Sequence, residues 1–265
     1  MSVLIVIPAR FASTRYPGKP LVELCGADGV AKSLIRRSWE AAMAVGGARV
    51  VVATDDTRIA DHARGFGAEV AMTPEQCRNG TERCAAVVAH LGSVPEIVVN
   101  LQGDAPLTPP WFVTDLIAGL RAAPEMGVAT PVLRTDGAML EGLLADRRAG
   151  RVGGTTAVFG TKGRALYFSK EVIPYRGGTF APEAITPVWH HVGVYAYRPD
   201  ALAAYATWDE GTLERLEGLE QLRFLERGVA VLCVPVEARG RRFWELNNPG
   251  DVAVIEAMMA EMGLE

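Results

Sequence analysis

The sequence predicts an α/β fold: a doubly wound, mostly parallel sheet with a smaller, partly antiparallel lobe. Three observations predict it. Short β-branched runs recur in the first half, at residues 3–7, 49–53, 69–71 and 96–100. Stretches with helical periodicity alternate with them, at 29–45, 57–66, 81–91 and 109–122. The strands are continuous apolar runs, as in a sheet covered by helices on both faces.

The elements follow in order. In the first helical stretch Ala31, Leu34, Ile35, Ser38 and Ala42 share one face. From about Arg134 the pattern loosens, and residues 138–154 are polar and glycine-bearing. Further strands are read at 127–132, 157–159, 191–197 and 229–235. A hairpin over 155–167 turns at Gly160-Thr161-Lys162-Gly163. Residues 175–187 form a Gly- and Pro-rich loop. A helix over 210–227 carries Leu213, Leu216, Leu219 and Leu222 on one face, and a last helix over 250–262 has Asp251 near its start. These elements divide into an α/β domain (1–133), a lobe (134–200) and a C-terminal return to the main domain (201–265).

Bulk properties set limits. The chain has 265 residues, 49% hydrophobic and 22% charged, as in a soluble globular protein. A net charge of −4 offers no general grip on nucleic acid or an anionic membrane. No apolar stretch approaches the roughly 20 residues of a membrane span, and the start lacks a basic n-region. Cys25, Cys77, Cys84 and Cys233 form no CxxC pair and read as reduced thiols, so a cytoplasmic location is expected. An anionic ligand must therefore be held by local positive charge.

That charge lies directly after the first strand. Residues 8–20 read Pro-Ala-Arg-Phe-Ala-Ser-Thr-Arg-Tyr-Pro-Gly-Lys-Pro. Arg10, Arg15 and Lys19 fall within ten residues among Ala9, Ala12, Ser13, Thr14 and Gly18. Small residues let backbone N–H groups approach a ligand, Arg can grip phosphate in bidentate fashion, and Lys acts as a point charge. The composition suits a triphosphate. Neither GxxxxGK[ST] nor GxGxxG occurs here. Asp104, in Gln102-Gly103-Asp104 after an apolar strand, is placed to hold Mg²⁺, which takes one or two carboxylates with phosphate oxygens and water. The bland alternative for Asp104 is a cap on the following turn. Asn79-Gly80-Thr81-Glu82-Arg83 reads as a helix start with Asn79 as N-cap.

Residues 7–21 closely resemble the opening signature of the 3-deoxy-manno-octulosonate cytidylyltransferase (CMP-KDO synthetase) family. Further matches are Ala53-Thr54-Asp55, Met72-Thr73, residues 79–83, Asn100-Leu101-Gln102-Gly103-Asp104, Ala165-Leu166-Tyr167-Phe168-Ser169, His191-Val192-Gly193-Val194-Tyr195 and Leu219-Glu220-Gln221-Leu222-Arg223. The resemblance spans nearly the whole chain. It implies the nucleotide-diphospho-sugar transferase type of fold, with nucleotide bound by residues 1–133 and with sugar binding and dimerisation in the lobe 134–200. It implies a homodimer that joins CTP to a 3-deoxy-2-keto sugar acid with release of pyrophosphate. It implies Ala9, Arg10, Ser13, Arg15, Lys19, Gly80 and Arg83 as nucleotide-binding residues, with Arg10, Lys19 and Asp104 catalytic. Gln102, Lys170, His191 and Gln221 would lie against the sugar, and Asp104 with Asn247 would hold Mg²⁺.

The sequence departs from the family at four places. Ala105 follows Asp104 where the family has Glu, and Lys170 replaces an Arg, losing the bidentate fork. Residues 151–156 replace a stretch with an Asn-Pro and a Lys. Asn247 stands where the second metal-binding carboxylate is expected, with Glu245 a possible substitute and Asp251 matching a later acid of the motif. The departures gather on the sugar and metal side. They keep open a different acid acceptor (an amino-modified octulosonate, a sialic-type sugar or a phosphonate), a different base, and a non-catalytic nucleotide-binding homologue.

Overall fold

A computed structural model describes residues 2–12, 16–151, 154–242 and 244–265. The chain opens with β1 (Val3–Ala9), the hairpin of β2 (Glu23–Cys25) and β3 (Ala31–Ser33), and α1 (Leu34–Met43). Next come β4 (Ala48–Thr54), α2 (Thr57–Gly65), β5 (Glu69–Met72), α3 (Gly80–Ala89), β6 (Ile97–Leu101) and α4 (Pro110–Ala122). Then follow β7 (Val128–Asp136), α5 (Gly137–Arg148), β8 (Thr155–Phe159), β9 (Ala165–Ser169), β10 (Ile185–His191) and β11 (Val194–Tyr197). The order closes with α6 (Pro199–Ala206), α7 (Thr212–Glu217), α8 (Leu222–Glu226), β12 (Val231–Pro235) and α9 (Asp251–Met262).

The chain forms two compact units. The first comprises Met1–Thr114, Arg198–Ala206 and Ala238–Glu265; the second comprises Asp115–Tyr197 and Thr207–Glu237. The expected divisions at 133/134 and 200/201 do not coincide with these. β7 pairs in parallel with β12, which draws both into the second unit. α6 is drawn to the first, where Asn79 Nδ2 donates to the Tyr205 hydroxyl at 2.8 Å.

In the first unit the strands run β5-β4-β1-β6, all parallel. The side chains of Leu4 to Ile7, Val51 to Ala53 and Ile97 to Val99 are almost wholly buried, as a sheet covered on both faces demands. The order reverses between β1 and β6: the chain leaves β1 toward β4 and β5, then returns to β1's other side. Crevices at such a reversal, at the carboxyl ends of the strands, take ligands. α9 is anchored by Ile255, Met258 and Met259 against Leu24, Leu34, Leu107 and Leu246. Each such side chain stabilises by roughly 1.5–3 kcal/mol on full burial. This cluster fixes Leu246 beside the turn that follows β6.

In the second unit β7 is the hub. Its first half pairs with β11 (antiparallel) and β12 (parallel), its second half with β10 (antiparallel). β10 continues to β8 and β8 to β9, both antiparallel. The predicted hairpin is therefore present as β8 and β9.

Four expected elements change. The helix over 29–45 is shortened to α1, because Asp28-Gly29 turns the chain (Gly29 φ 77°) and Ala31–Ser33 pairs with Glu23–Cys25. Ser33 then caps α1, its hydroxyl accepting from Arg36 N at 3.3 Å. The polar stretch 138–154 contains α5, started by Asp136 accepting from Met139 N at 2.8 Å. The strand over 191–197 is two strands, broken where Val194 N turns back to Val192 O at 2.7 Å. The helix over 210–227 is broken at Gly218, which is left-handed with φ 61° and ends α7. Among the described residues, no helix is long and apolar enough to cross a membrane.

Candidate active site

The first unit gathers the nucleotide-side residues. β1 is in register with β4 as far as Ala9 opposite Thr54, so Ala9 ends the strand and Arg10 stands exposed just past it. The basic loop is closed at its base by Gly18 N donating to Phe11 O at 2.9 Å. Gly18 is required there: its φ is 72° and a Cβ would lie 3.1 Å from the Phe11 ring. Ser13, Thr14 and Arg15 lie outside the described residues, and so do the expectations for Ser13 and Arg15.

Lys19 leaves the loop and turns inward. Its ammonium lies 2.6 Å from Asp104 Oδ2 and 3.1 Å from the Leu246 carbonyl oxygen. Leu246 N in turn donates to Asp104 O at 2.9 Å. Asp104 is thus tied to the segment that carries Asn247. Asn247 Nδ2 faces Glu245 Oε2 at 3.3 Å, and Asn247 N donates to Asp251 Oδ2 at 2.9 Å. Asp251 also accepts from Asn248 N and from Trp244 Nε1, at 2.6 and 3.0 Å. Desolvation is the largest single effect and raises its pKa, but the donors Trp244, Asn248 and Asn247 together outweigh it and hold the carboxylate below the ordinary range. Asp251 therefore acts as a brace for residues 244–248.

Glycines set how closely the strands' ends approach. A Cβ on Gly103 would lie 2.6 Å from Pro8 O, so this turn fits only because residue 103 has none. A Cβ on Gly80 would meet Asn100 Nδ2 at 2.8 Å, Gln102 Nε2 at 3.1 Å and Pro8 Cγ at 3.3 Å. Pro8, Gly80, Asn100 and Gln102 therefore converge, with α3 beginning at that point. Asn79 is its N-cap as expected, accepting from Glu82 N at 2.9 Å. Arg83 is 2% exposed; its guanidinium binds Asp55 Oδ2 at 2.7 Å and Thr73 Oγ1. A buried guanidinium needs such partners, and this pair ties α3 to the ends of β4 and β5.

The second unit holds Lys170, His191 and Gln221. Glu217, the last residue of α7, accepts from Ser169 Oγ at 2.7 Å and from Lys170 N at 2.9 Å. The Lys170 ammonium lies over Gly218, 2.7 Å from where a Cβ would stand. His191 ends β10 instead of starting a strand. It is buried, between the Phe168 ring (5.1 Å) and the Tyr195 ring (5.6 Å), and its Nε2 is 2.9 Å from Thr130 Oγ1. The Thr130 hydroxyl proton is directed to the Val192 and Val194 carbonyls, which makes Nε2 the donor and leaves Nδ1 an acceptor. Burial pushes His191 down to about 3, and neighbouring His190 adds to this. His191 is therefore neutral near pH 7 and works by hydrogen bonding.

Gln221 is not on a continuous helix but directly precedes α8, without a side-chain capping hydrogen bond, and it is 1% exposed. Tyr195 Oη donates to Gln221 Oε1 at 3.0 Å, while Gln221 Nε2 has no partner among the described residues. In the sequence Tyr195 stands within a motif with no task of its own, and Glu217 reads either as a solvated helix face or as a residue near the sugar acid; in the structure Glu217 organises Ser169 and Lys170. The Leu246 carbonyl is beyond any side-chain pattern. The four cysteines are free thiols.

An α/β sheet with a basic loop and a Lys–Asp pair at its strand-order reversal defines the nucleotidyltransferase class. Residues 4–231 match the family described as cytidylyltransferase. The chain is 44% identical over 264 residues to a 3-deoxy-manno-octulosonate cytidylyltransferase of Maricaulis maris, covering 99% of each. It is 40% identical over 253 residues to the like-named protein of Chlamydia pneumoniae, covering 95% of this chain and 91% of that one. The solved structure of a CMP:2-keto-3-deoxy-manno-octonic acid synthetase complexed with CTP matches with TM-score 0.82 at 33% identity, over 99% of this chain and 100% of the other. The chain belongs to the 3-deoxy-manno-octulosonate cytidylyltransferase family.

Proposed function

We propose that the protein transfers the cytidylyl group of CTP to a 3-deoxy-2-keto sugar acid, KDO, giving the CMP-sugar and pyrophosphate. The observation that carries the reading is the convergence of Lys19 and Asp104 at the strand-order reversal, beside Pro8 to Arg10. The sugar's anomeric hydroxyl attacks the α-phosphorus; a new P–O bond forms as the bond to pyrophosphate breaks. Little covalent chemistry is left to the protein, so positioning and charge neutralisation dominate. Arg10, Arg15 and Lys19 neutralise the triphosphate, and Ala9, Ser13 and Gly80 line the nucleotide. Gln102, Lys170, His191 and Gln221 orient the sugar acid. His191 and Gln221 do so as uncharged groups, so Lys170 is the cation of this set for the acid's carboxylate. Arg83 supports the nucleotide side through Asp55 and Thr73.

Mg²⁺ fits the donors present. The Asp104 carboxylate and the Leu246 carbonyl already converge on one hard cation, the Lys19 ammonium. Among the described residues no three acids, histidines or cysteines gather as a metal site, so phosphate and water would complete the shell. Asp104 and Asn247 would hold the ion, which supplies charge screening between two anions and a lower pKa for the attacking hydroxyl. We infer that the protein works in the cytoplasm as a homodimer; exposed Leu166, Ile185 and Leu216 of the second unit offer apolar surface for this, and light scattering checks it.

The test is pyrophosphate release by the purified protein with Mg²⁺, each of four NTPs and a panel of sugar acids. Release with CTP and KDO is expected. Release with CTP and only another acid would replace the acceptor, the change that Lys170 and Asn247 favour. CTP binding with no turnover on any acid would overturn the reading.

A further inference from the structure

Lys19 and Asp104 lie 85 residues apart and meet at 2.6 Å, with the ammonium also 3.1 Å from the Leu246 carbonyl. Leu246 is the residue before Asn247, so the ammonium stands between the segments of both residues assigned to the metal. A negative carboxylate oxygen with a neutral carbonyl oxygen is a hard-cation environment, and an ammonium satisfies it with two of its three N–H groups. The side chains are 16% and 25% exposed, so solvent screens the pair only in part. A positive charge 2.6 Å from Asp104 Oδ2 repels a divalent ion and weakens its hold on this carboxylate.

We propose that Lys19 is a place-holder cation: it occupies Asp104 until a triphosphate draws it away, so divalent metal loads with the nucleotide and not before it. A triphosphate offers several negative charges against the single one of Asp104, and Lys19 sits on a four-carbon stem that can swing to them. The exchange leaves no intermediate in which Asp104 and Lys19 both lack a partner. This inference rests on the cytidylyltransferase reading of the same site.

The experiment is titration of the full-length, nucleotide-free protein with Mn²⁺ alone, read by electron paramagnetic resonance of the free ion. Wild type is expected to bind weakly. Lys19→Met is expected to bind Mn²⁺ at least about tenfold more tightly, within the usual span of coupling between two ligands. Lys19→Gln, which retains a donor for Leu246 O, is expected to do the same. Adding Asp104→Asn to either variant is expected to abolish the gain. Equal or weaker Mn²⁺ binding in both single variants overturns the proposal. Pyrophosphate release by wild type with CTP and KDO is measured alongside. Turnover without a gain in Mn²⁺ affinity sinks the exchange alone; a gain without turnover sinks the transfer reading and leaves the exchange standing.

Discussion

Tyr195 and Gln221 form a hydrogen-bonded pair in a buried setting, and an amide so held has one fixed direction. The Tyr195 hydroxyl donates to Oε1, which leaves Nε2 as the group available to a ligand oxygen. Tyr195 touches Gln221 and lies in the ring stack with His191 and Tyr197, at 5.6 and 6.0 Å. It is a positioning residue in this reading. Tyr195→Phe keeps the ring and removes the donor, so the amide can flip. A net hydrogen bond of about 1 kcal/mol corresponds to roughly fivefold. The expected outcome is a rise of about that size in KM for the sugar acid with KM for CTP unchanged, and a conserved far-ultraviolet spectrum. A rise in KM for CTP alone would contradict the assignment.

Elements here are often limited by one residue. Gly218 ends α7 in the left-handed region, and the chain restarts at α8 directly after Gln221. Across that break Arg223 binds Glu214 through two contacts, 2.6 and 2.7 Å, both residues buried. The leucine spacing over 210–227 predicts one helix, but Leu216 is exposed and Leu222 buried, so the two halves do not share one apolar face. The glycine was visible in the sequence, but a lone Gly in a helical pattern is tolerated often enough to be passed over. Gly218→Ala imposes a strained φ and forces the Lys170 ammonium to move. It is expected to cost roughly 1 kcal/mol and to lower Tm by about 2–4 °C. Turnover should fall through the sugar acid rather than through CTP; an unchanged Tm and KM would refute this. β1, β4, β6, α2 and α3 were legible nearly to the residue, since strand hydrophobicity, helical periodicity and the Asn79 cap are local signals. α5 and β10 were not: α5 shows only weak apolar periodicity, and in β10 polar Thr186 is buried while apolar Ile185 is exposed, the reverse of what a local pattern predicts.

The molecule as a whole carries two histidines that resist protonation. Burial lowers His191 to about 3 and His190 to about 4, against 6.5 in an unfolded chain. Between pH 6.5 and about 4 the unfolded state therefore binds protons that the native state refuses. Stability is undiminished by these groups above pH 6.5 and falls as pH drops below it. The slope is about 1.4 kcal/mol per pH unit for each histidine. Tm measured from pH 7.5 to 5.0 is expected to fall below pH 6.5, and the fall should be shallower in His190→Gln. A parallel pair of curves would show that His190 does not contribute.

The sequence by itself determined the alternation of strand and helix, the basic loop after the first strand, and the acid after the fourth of the early strands. Each is written in neighbouring residues, through periodicity, φ preference and charge. Only the tertiary structure decided that Lys19 rests on Asp104 and Leu246, that Arg83 is buried against Asp55, and that His191 is neutral. Those outcomes depend on which distant groups are brought together and on how far water is excluded. Neither distance through space nor desolvation is set by any short stretch of chain.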